Sequence, residues 1–135
     1  MDGTPLLPRI GTPENPIRIA VFFSGSGTGV NALFRHQENE GCVHKAVLSI
    51  TNKVDAGGVN FANKHGIPVE VETIDLSLPK QERRGDQERR IMKHIEHYDV
   101  ELIILSGYMR ILSEDFVSVY YPRILNIHPS LLPAF

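Results

Sequence analysis

The chain has 135 residues, 41% hydrophobic and 22% charged, and a formal net charge of -2. That composition excludes a disordered or fibrous class, and the slightly acidic balance argues against a general nucleic-acid binder, which carries a basic face or a high pI. A single domain of this length buries about 70% of the surface its unfolded chain exposes, so a full core is within reach.

Cys42 is the only cysteine. This excludes an intrachain disulfide and a cysteine-based metal cluster, and it fits a reducing compartment. No apolar run approaches the ~20 residues of a membrane span, and the N-terminus lacks the charged-then-apolar order of a signal peptide. The expected location is the cytoplasm, with no membrane partner.

Met1 to Pro16 carries four prolines and two glycines without periodicity, which reads as a flexible or draped arm before a domain over residues 17–135. Ile17 to Phe23 is almost continuously apolar, β-branched and aromatic, the pattern of a central strand covered on both faces. Ser24-Gly25-Ser26-Gly27-Thr28-Gly29 follows at once. Val30, Leu33 and Phe34 then recur at helical spacing toward Gly41. Lys45 to Ile50 predicts a second strand, Thr51 to Gly58 a turn, and Val59 to His65 a short helix closed by Gly66. Ile67 to Thr73 predicts the third strand.

Asp75 to Lys80 is a connector, and Gln81 to His97 carries charges of alternating sign around a stripe of Ile91, Met92, Ile95 and Tyr98. Gly85 interrupts the run, so the predicted helix starts after it, and Gln81 to Arg90 reads as a solvated face. Leu102 to Leu105 is a fourth buried strand. Ser113-Glu114-Asp115 is an N-cap with acids in the first turn, opening a helix through Tyr120; Pro122 ends it, and Ile124 to His128 is the fifth strand. This alternation predicts an α/β fold: a doubly wound, Rossmann-like parallel sheet of about five strands with helices on both faces. Ligands of such sheets lie beyond the carboxyl ends of the strands, where the strand order reverses.

Three carboxyl ends carry unusual chemistry. The glycine turn exposes backbone N–H groups and the positive end of a helix, an anion site. Its spacing is neither G-x-G-x-x-G nor a P-loop, and the second strand ends Ser49-Ile50-Thr51-Asn52-Lys53 without an acid for a ribose. The glycines serve either a tight turn alone or a single phosphate on a small metabolite. Ser106 to Leu112 sets apolar side chains around Arg110. It reads either as the wall of a slot for a flat ring, or as core packing of Met109, Ile111 and Leu112 with Arg110 in a surface ion pair.

In Asn126-Ile127-His128-Pro129, the amide and the imidazole are two apart and share a strand face. The imidazole can move a proton at neutral pH, and the amide N–H can hold an oxyanion. With no Ser or Cys in a nucleophile motif, the attacking atom of an acyl transfer or hydrolysis would come from a substrate. His36, His44, His65, His94 and His97 show no metal-ligand spacing, so no metal is expected.

Together the Ser24-Gly25-Ser26-Gly27 turn, the Gly107-Tyr108-Met109-Arg110-Ile111-Leu112 block and Asn126-Ile127-His128-Pro129-Ser130-Leu131-Leu132-Pro133 resemble, in order and spacing, the phosphoribosylglycinamide formyltransferases. The resemblance covers Ile17 to Phe135. It implies transfer of the formyl group of 10-formyltetrahydrofolate, a co-substrate, to the amine of glycinamide ribonucleotide in purine biosynthesis. It places the nucleotide phosphate on the backbone of Gly27, Thr28 and Gly29. The folate falls to Arg84, Met109, Arg110, Ile111, Leu112 and Asn126, and catalysis to His128 and Asn126.

Two departures from the family pattern stand out. Its loop normally continues Gly-Ser-Asn, whereas this chain has Gly27-Thr28-Gly29 with Asn31 displaced, which removes a side-chain contact and leaves the amides. The aspartate that assists the histidine falls downstream of the Leu-Leu-Pro segment in the family, beyond Phe135. The domain is therefore expected to be truncated at its C-terminus, to bind the nucleotide with little or no transfer by itself, and to need a longer or completing chain or a homo-oligomer. Formyltetrahydrofolate deformylase is the alternative enzyme, although it generally has a second histidine where Pro129 stands and a further N-terminal domain, for which sixteen residues leave no room. A non-catalytic nucleotide-binding module is the other alternative. Methionyl-tRNA formyltransferases are more distant, and the acidic balance gives tRNA no support.

Overall fold

Ile17–Phe23 (β1) is buried along nearly its whole length because it lies at the centre of the sheet with helices on both sides. The computed structural model describes residues 9–127. After β1 the chain forms α1 (Thr28–Gln37), β2 (His44–Thr51), α2 (Gly58–Lys64), β3 (Val69–Val71), α3 (Lys80–His97), β4 (Leu102–Ser106), α4 (Glu114–Tyr120) and β5 (Ile124–Ile127). All strand pairs are parallel, in the order β3-β2-β1-β4-β5. The chain thus winds outward from β1 to one edge and returns to wind toward the other.

Period-two alternation distributes β1 between two cores. Ile19, Val21 and Phe23 share one with Val30 and Phe34 of α1 and Ala62 of α2. Ala20 and Phe22 share the other with Ile91 and Ile95 of α3 and Phe116 of α4. This is the doubly wound parallel sheet expected from the sequence, and its order reverses between β1 and β4. Among the described residues no helix is long and apolar enough to cross a membrane.

Three local expectations need correction. The third strand is Val69–Val71, shorter than 67–73, because Ile67 belongs to the end of α2: Gly66 takes φ +70 and the Ile67 N–H donates to the Ala62 carbonyl at 2.9 Å. α3 starts at Lys80, ahead of Gly85 rather than after it. One interior glycine costs about 1 kcal/mol, and the buried stripe of Ile91 and Ile95 offsets it. Nor is 81–90 wholly solvated, since Gln87 and Glu88 are buried. Their polar ends are occupied: Glu88 accepts from the Ser113 N–H at 2.8 Å and hydroxyl at 2.5 Å, and the Gln87 amide donates to the Glu72 carbonyl at 2.7 Å. Ser113 caps α4 as expected, accepting from the Phe116 N–H at 3.1 Å.

At the amino ends of the strands, Arg9 donates to both carboxylate oxygens of Glu101, at 2.6 and 2.8 Å, and to the carbonyls of Asn15 and Pro16. The Arg18 N–H adds a third bond to Glu101 at 3.0 Å. The Arg9 hydrogen bond, outweighing partial burial, holds the Glu101 carboxyl below its ordinary range. A depressed carboxyl contributes stability at neutral pH and loses it as pH falls through the folded value. Glu101→Gln is therefore expected to lower the thermal midpoint at about pH 7 and to approach the unsubstituted chain at a second, acidic pH below the folded value, where both side chains are uncharged. An equal deficit at both pH values would mean that shape, not charge, is what Glu101 supplies.

Candidate active site

The glycine turn lies at the switch point. Gly27 takes φ +81 and caps α1 with its carbonyl, which accepts from the Asn31 N–H at 2.7 Å. Thr28 and Gly29 are exposed, and the first-turn N–H groups of a helix have no partner within it. A Cβ on Gly29 would come within 3.0 Å of Ser106 Oγ, so the start of α1 rests on the end of β4. Gly27, Thr28 and Gly29 therefore stand together at the positive end of the α1 dipole.

A second pair of glycines makes that turn possible, and sequence reasoning did not single it out. A Cβ on Gly27 would lie 2.4 Å from Gly58 Cα, and one on Gly58 would lie 2.5 Å from the Phe23 ring. The residues 51–58, read only as a turn, thus bring Gly57 and Gly58 against the loop that follows β1. Asn31 does not face this turn with a free amide. Its Oδ1 lies 3.3 Å from His65 Nε2, and His65 Nδ1 pairs with Glu38, joining α1 to α2.

Ser24 was read merely as the first loop residue, yet it connects three strand ends. It is buried; its hydroxyl donates to Asn52 Oδ1 at 2.5 Å and accepts from the Met109 N–H at 2.8 Å. Its own N–H donates to the Gly107 carbonyl at 3.1 Å. One small side chain therefore holds the loops after β1, β2 and β4 at fixed separation. A serine that opens a glycine-rich turn gives no sequence signal of this role, because its partners are 28 and 85 residues away.

The loop after β4 divides between the two readings open in the sequence. Gly107 takes φ +72. Tyr108 packs edge-on against Phe22, with ring centroids 5.3 Å apart, and Leu112 is half-buried against the same core. Burial pushes the Tyr108 phenol up to about 12, so it is a neutral hydroxyl at physiological pH. Met109 and Ile111 are not core residues: they are 75% and 74% exposed. Arg110 makes no surface ion pair among the described residues; its Nε donates to the buried Gln87 Oε1 at 3.2 Å.

Arg84 and Arg110 line one groove of about 850 Å³ between α3 and the loop that leads to α4. Met92, Ile74 and Phe116 give it apolar wall, while Lys80, Arg83 and Arg89 make its mouth cationic against Glu88 and Asp115. The volume falls in the range of small-molecule sites, and apolar wall with a few convergent cations suits a flat or aliphatic body bearing carboxylates. Asn126 is exposed on β5, in register with Leu105 of β4, hence at the same end of the sheet. His128 lies outside the described residues.

An open parallel sheet with an amide-lined turn at its switch point and a cationic groove beside it defines an α/β domain of the doubly wound, Rossmann-like class. The family model described as formyl transferase matches residues 17–135, and the chain belongs to that family. It is 35% identical over 130 residues to the chloroplastic phosphoribosylglycinamide formyltransferase of Arabidopsis thaliana, covering 93% of this chain and 42% of that protein. The crystal structure of phosphoribosylglycinamide formyltransferase from Brucella melitensis superposes with a TM-score of 0.79 at 36% identity, covering 89% of this chain and 60% of that one. A formyltetrahydrofolate deformylase from Pseudomonas putida reaches 0.73 at 27% identity, covering 87% of this chain and 40% of that one. The chain spans about half the length of these relatives.

Proposed function

We propose that this chain supplies the nucleotide and folate contacts for transfer of a formyl group from 10-formyltetrahydrofolate to the amine of glycinamide ribonucleotide. The observation that carries the reading is the Ser24 junction, which sets an anion-binding turn and the Met109–Leu112 loop side by side at one end of the sheet. Gly27, Thr28 and Gly29 hold the phosphate through their backbone. Met109 and Ile111 offer exposed apolar contact to the folate ring system, with Leu112 behind them. Arg84 and Arg110 share the groove that receives the anionic end of the folate. Asn126 and His128 serve the reacting centre.

The amine nitrogen attacks the formyl carbon, giving a tetrahedral carbon with a negative oxygen that the Asn126 amide stabilises by hydrogen bonding. The C–N10 bond then breaks. The proton lost by the attacking amine passes to the departing N10 through the His128 imidazole, so atoms and charge balance without a further reactant.

The discriminating experiment follows both products in the protein that carries this chain. With both substrates present, formylated ribonucleotide should accumulate in equal amount to tetrahydrofolate. Formate release with no formylated amine would replace transfer by hydrolysis, the reaction named for the deformylase relative. Nucleotide binding without either product would leave a binding module in place of an enzyme.

A further inference from the structure

At the opposite end of the sheet from the glycine turn, we propose that His36, Cys42 and His44 form a binding site for a thiophilic divalent cation of the zinc type. His36 lies in the last turn of α1, Cys42 in the connection that follows, and His44 is the first residue of β2. Their donor atoms lie within 4.8 Å of one another. The spacing H-x5-C-x-H matches no linear metal motif, which is why the sequence pointed away from a metal; the set is assembled by the reversal of the chain between helix and strand.

Three observations support coordination over simple surface packing. The two imidazoles are near-parallel, with centroids 5.6 Å apart and 24° between planes, an arrangement that disfavours protonation of both rings. His44 Nδ1 is buried without a hydrogen-bond partner among the described residues, a cost that a metal bond would relieve. The Cys42 thiol makes only a weak 3.4 Å contact to the His44 carbonyl among the described residues.

The donor set selects the ion. Two imidazoles and one thiolate suit zinc, which takes N and S ligands at about 2.0–2.3 Å in a tetrahedron and leaves its fourth position here to water. Magnesium and calcium prefer oxygen and are disfavoured. Binding releases the thiol proton and ties the end of α1 to the start of β2, where the Gln37 side chain already accepts from the Ala46 N–H at 2.8 Å. The site is thus a structural staple far from the groove of Arg84 and Arg110.

The test is titration of the metal-free 135-residue chain with cobalt(II), whose tetrahedral thiolate complexes absorb in the near ultraviolet and visible. One equivalent should saturate a thiolate-to-cobalt band, zinc should displace it, and zinc should raise the thermal midpoint. Cys42→Ser should abolish the band, and His36→Ala and His44→Gln should each weaken binding by about tenfold or more. All three should retain the circular dichroism of the unsubstituted chain. Absence of a saturable band overturns the proposal, as does a zinc-induced shift that persists unchanged in Cys42→Ser and His44→Gln, since binding would then reside at His65, His94 or His97.

Discussion

Gly27→Ala is expected to lower the thermal midpoint by about 10 °C, whereas Gly25→Ala two residues earlier should leave it within the error of measurement. The two glycines look equivalent in Ser24-Gly25-Ser26-Gly27-Thr28-Gly29 but differ in surroundings. Gly27 takes φ +81, where an added Cβ would meet Gly58 Cα at 2.4 Å and Gly58 N at 2.8 Å. A left-handed backbone costs an L-residue about 1–2 kcal/mol, and overpacking adds about 1–3 kcal/mol. Against a total stability on the order of 5–15 kcal/mol, the combined loss is large. The obstacle is backbone, which a rotamer change cannot clear. Gly25 has open space around its Cβ position, so an alanine there meets nothing. Thermal unfolding of both variants beside the unsubstituted chain reads the difference. Equal stability of the two would show that the contact between the glycine turn and Gly57-Gly58 does not organise this end of the sheet.

That contact also shows where the sequence stopped being informative. β1 was legible because a strand covered on both faces must be apolar at every position, and Ile17–Phe23 is nearly so. The strand and helix alternation then left few topologies open. The glycine turn was legible as the strand-to-helix turn after β1 because its character is local. Its supports were not. Ser24 acts through Asn52 and Met109, and the turn packs against Gly57 and Gly58, where added side chains would meet Ser26 and Phe23. None of these pairings leaves a periodic trace.

Polar residues were the harder half. Gln87 and Glu88 lie in a helix whose charges alternate in sign, and sign alternation normally marks a solvated surface. They are buried because α3 bears two loads on that side: the loop holding Arg110, and the cap of α4, whose Ser113 N–H and hydroxyl both reach Glu88. A helix pattern reports which face is apolar; it does not report which polar residues have found partners. The same limit applied to Arg84 and Arg110, 26 positions apart, which share a groove only because α3 passes beside the loop after β4.

His128→Ala is expected to reduce kcat for formyl transfer by about 10²–10⁴-fold, the usual worth of a positioned acid–base group, in the protein that carries this chain. The expectation rests on the proposed reaction. The amine must lose a proton and N10 must gain one, and of the residues assigned to the reacting centre only His128 both accepts and donates at neutral pH. Asn126, exposed at the carboxyl end of β5 and paired with Leu105, cannot substitute, because an amide does not change protonation; its own removal should cost about 10²–10³-fold through the lost oxyanion contact. The nucleotide phosphate is assigned to the turn at Gly27 to Gly29, so KM for glycinamide ribonucleotide should change little in either variant. Loss confined to kcat would place both residues in the transition state. Transfer at the unsubstituted rate in His128→Ala would remove the imidazole from the reaction and return the proton relay to water. A rise in KM with kcat unchanged would make His128 a substrate contact, leaving Asn126 to stabilise the oxyanion alone.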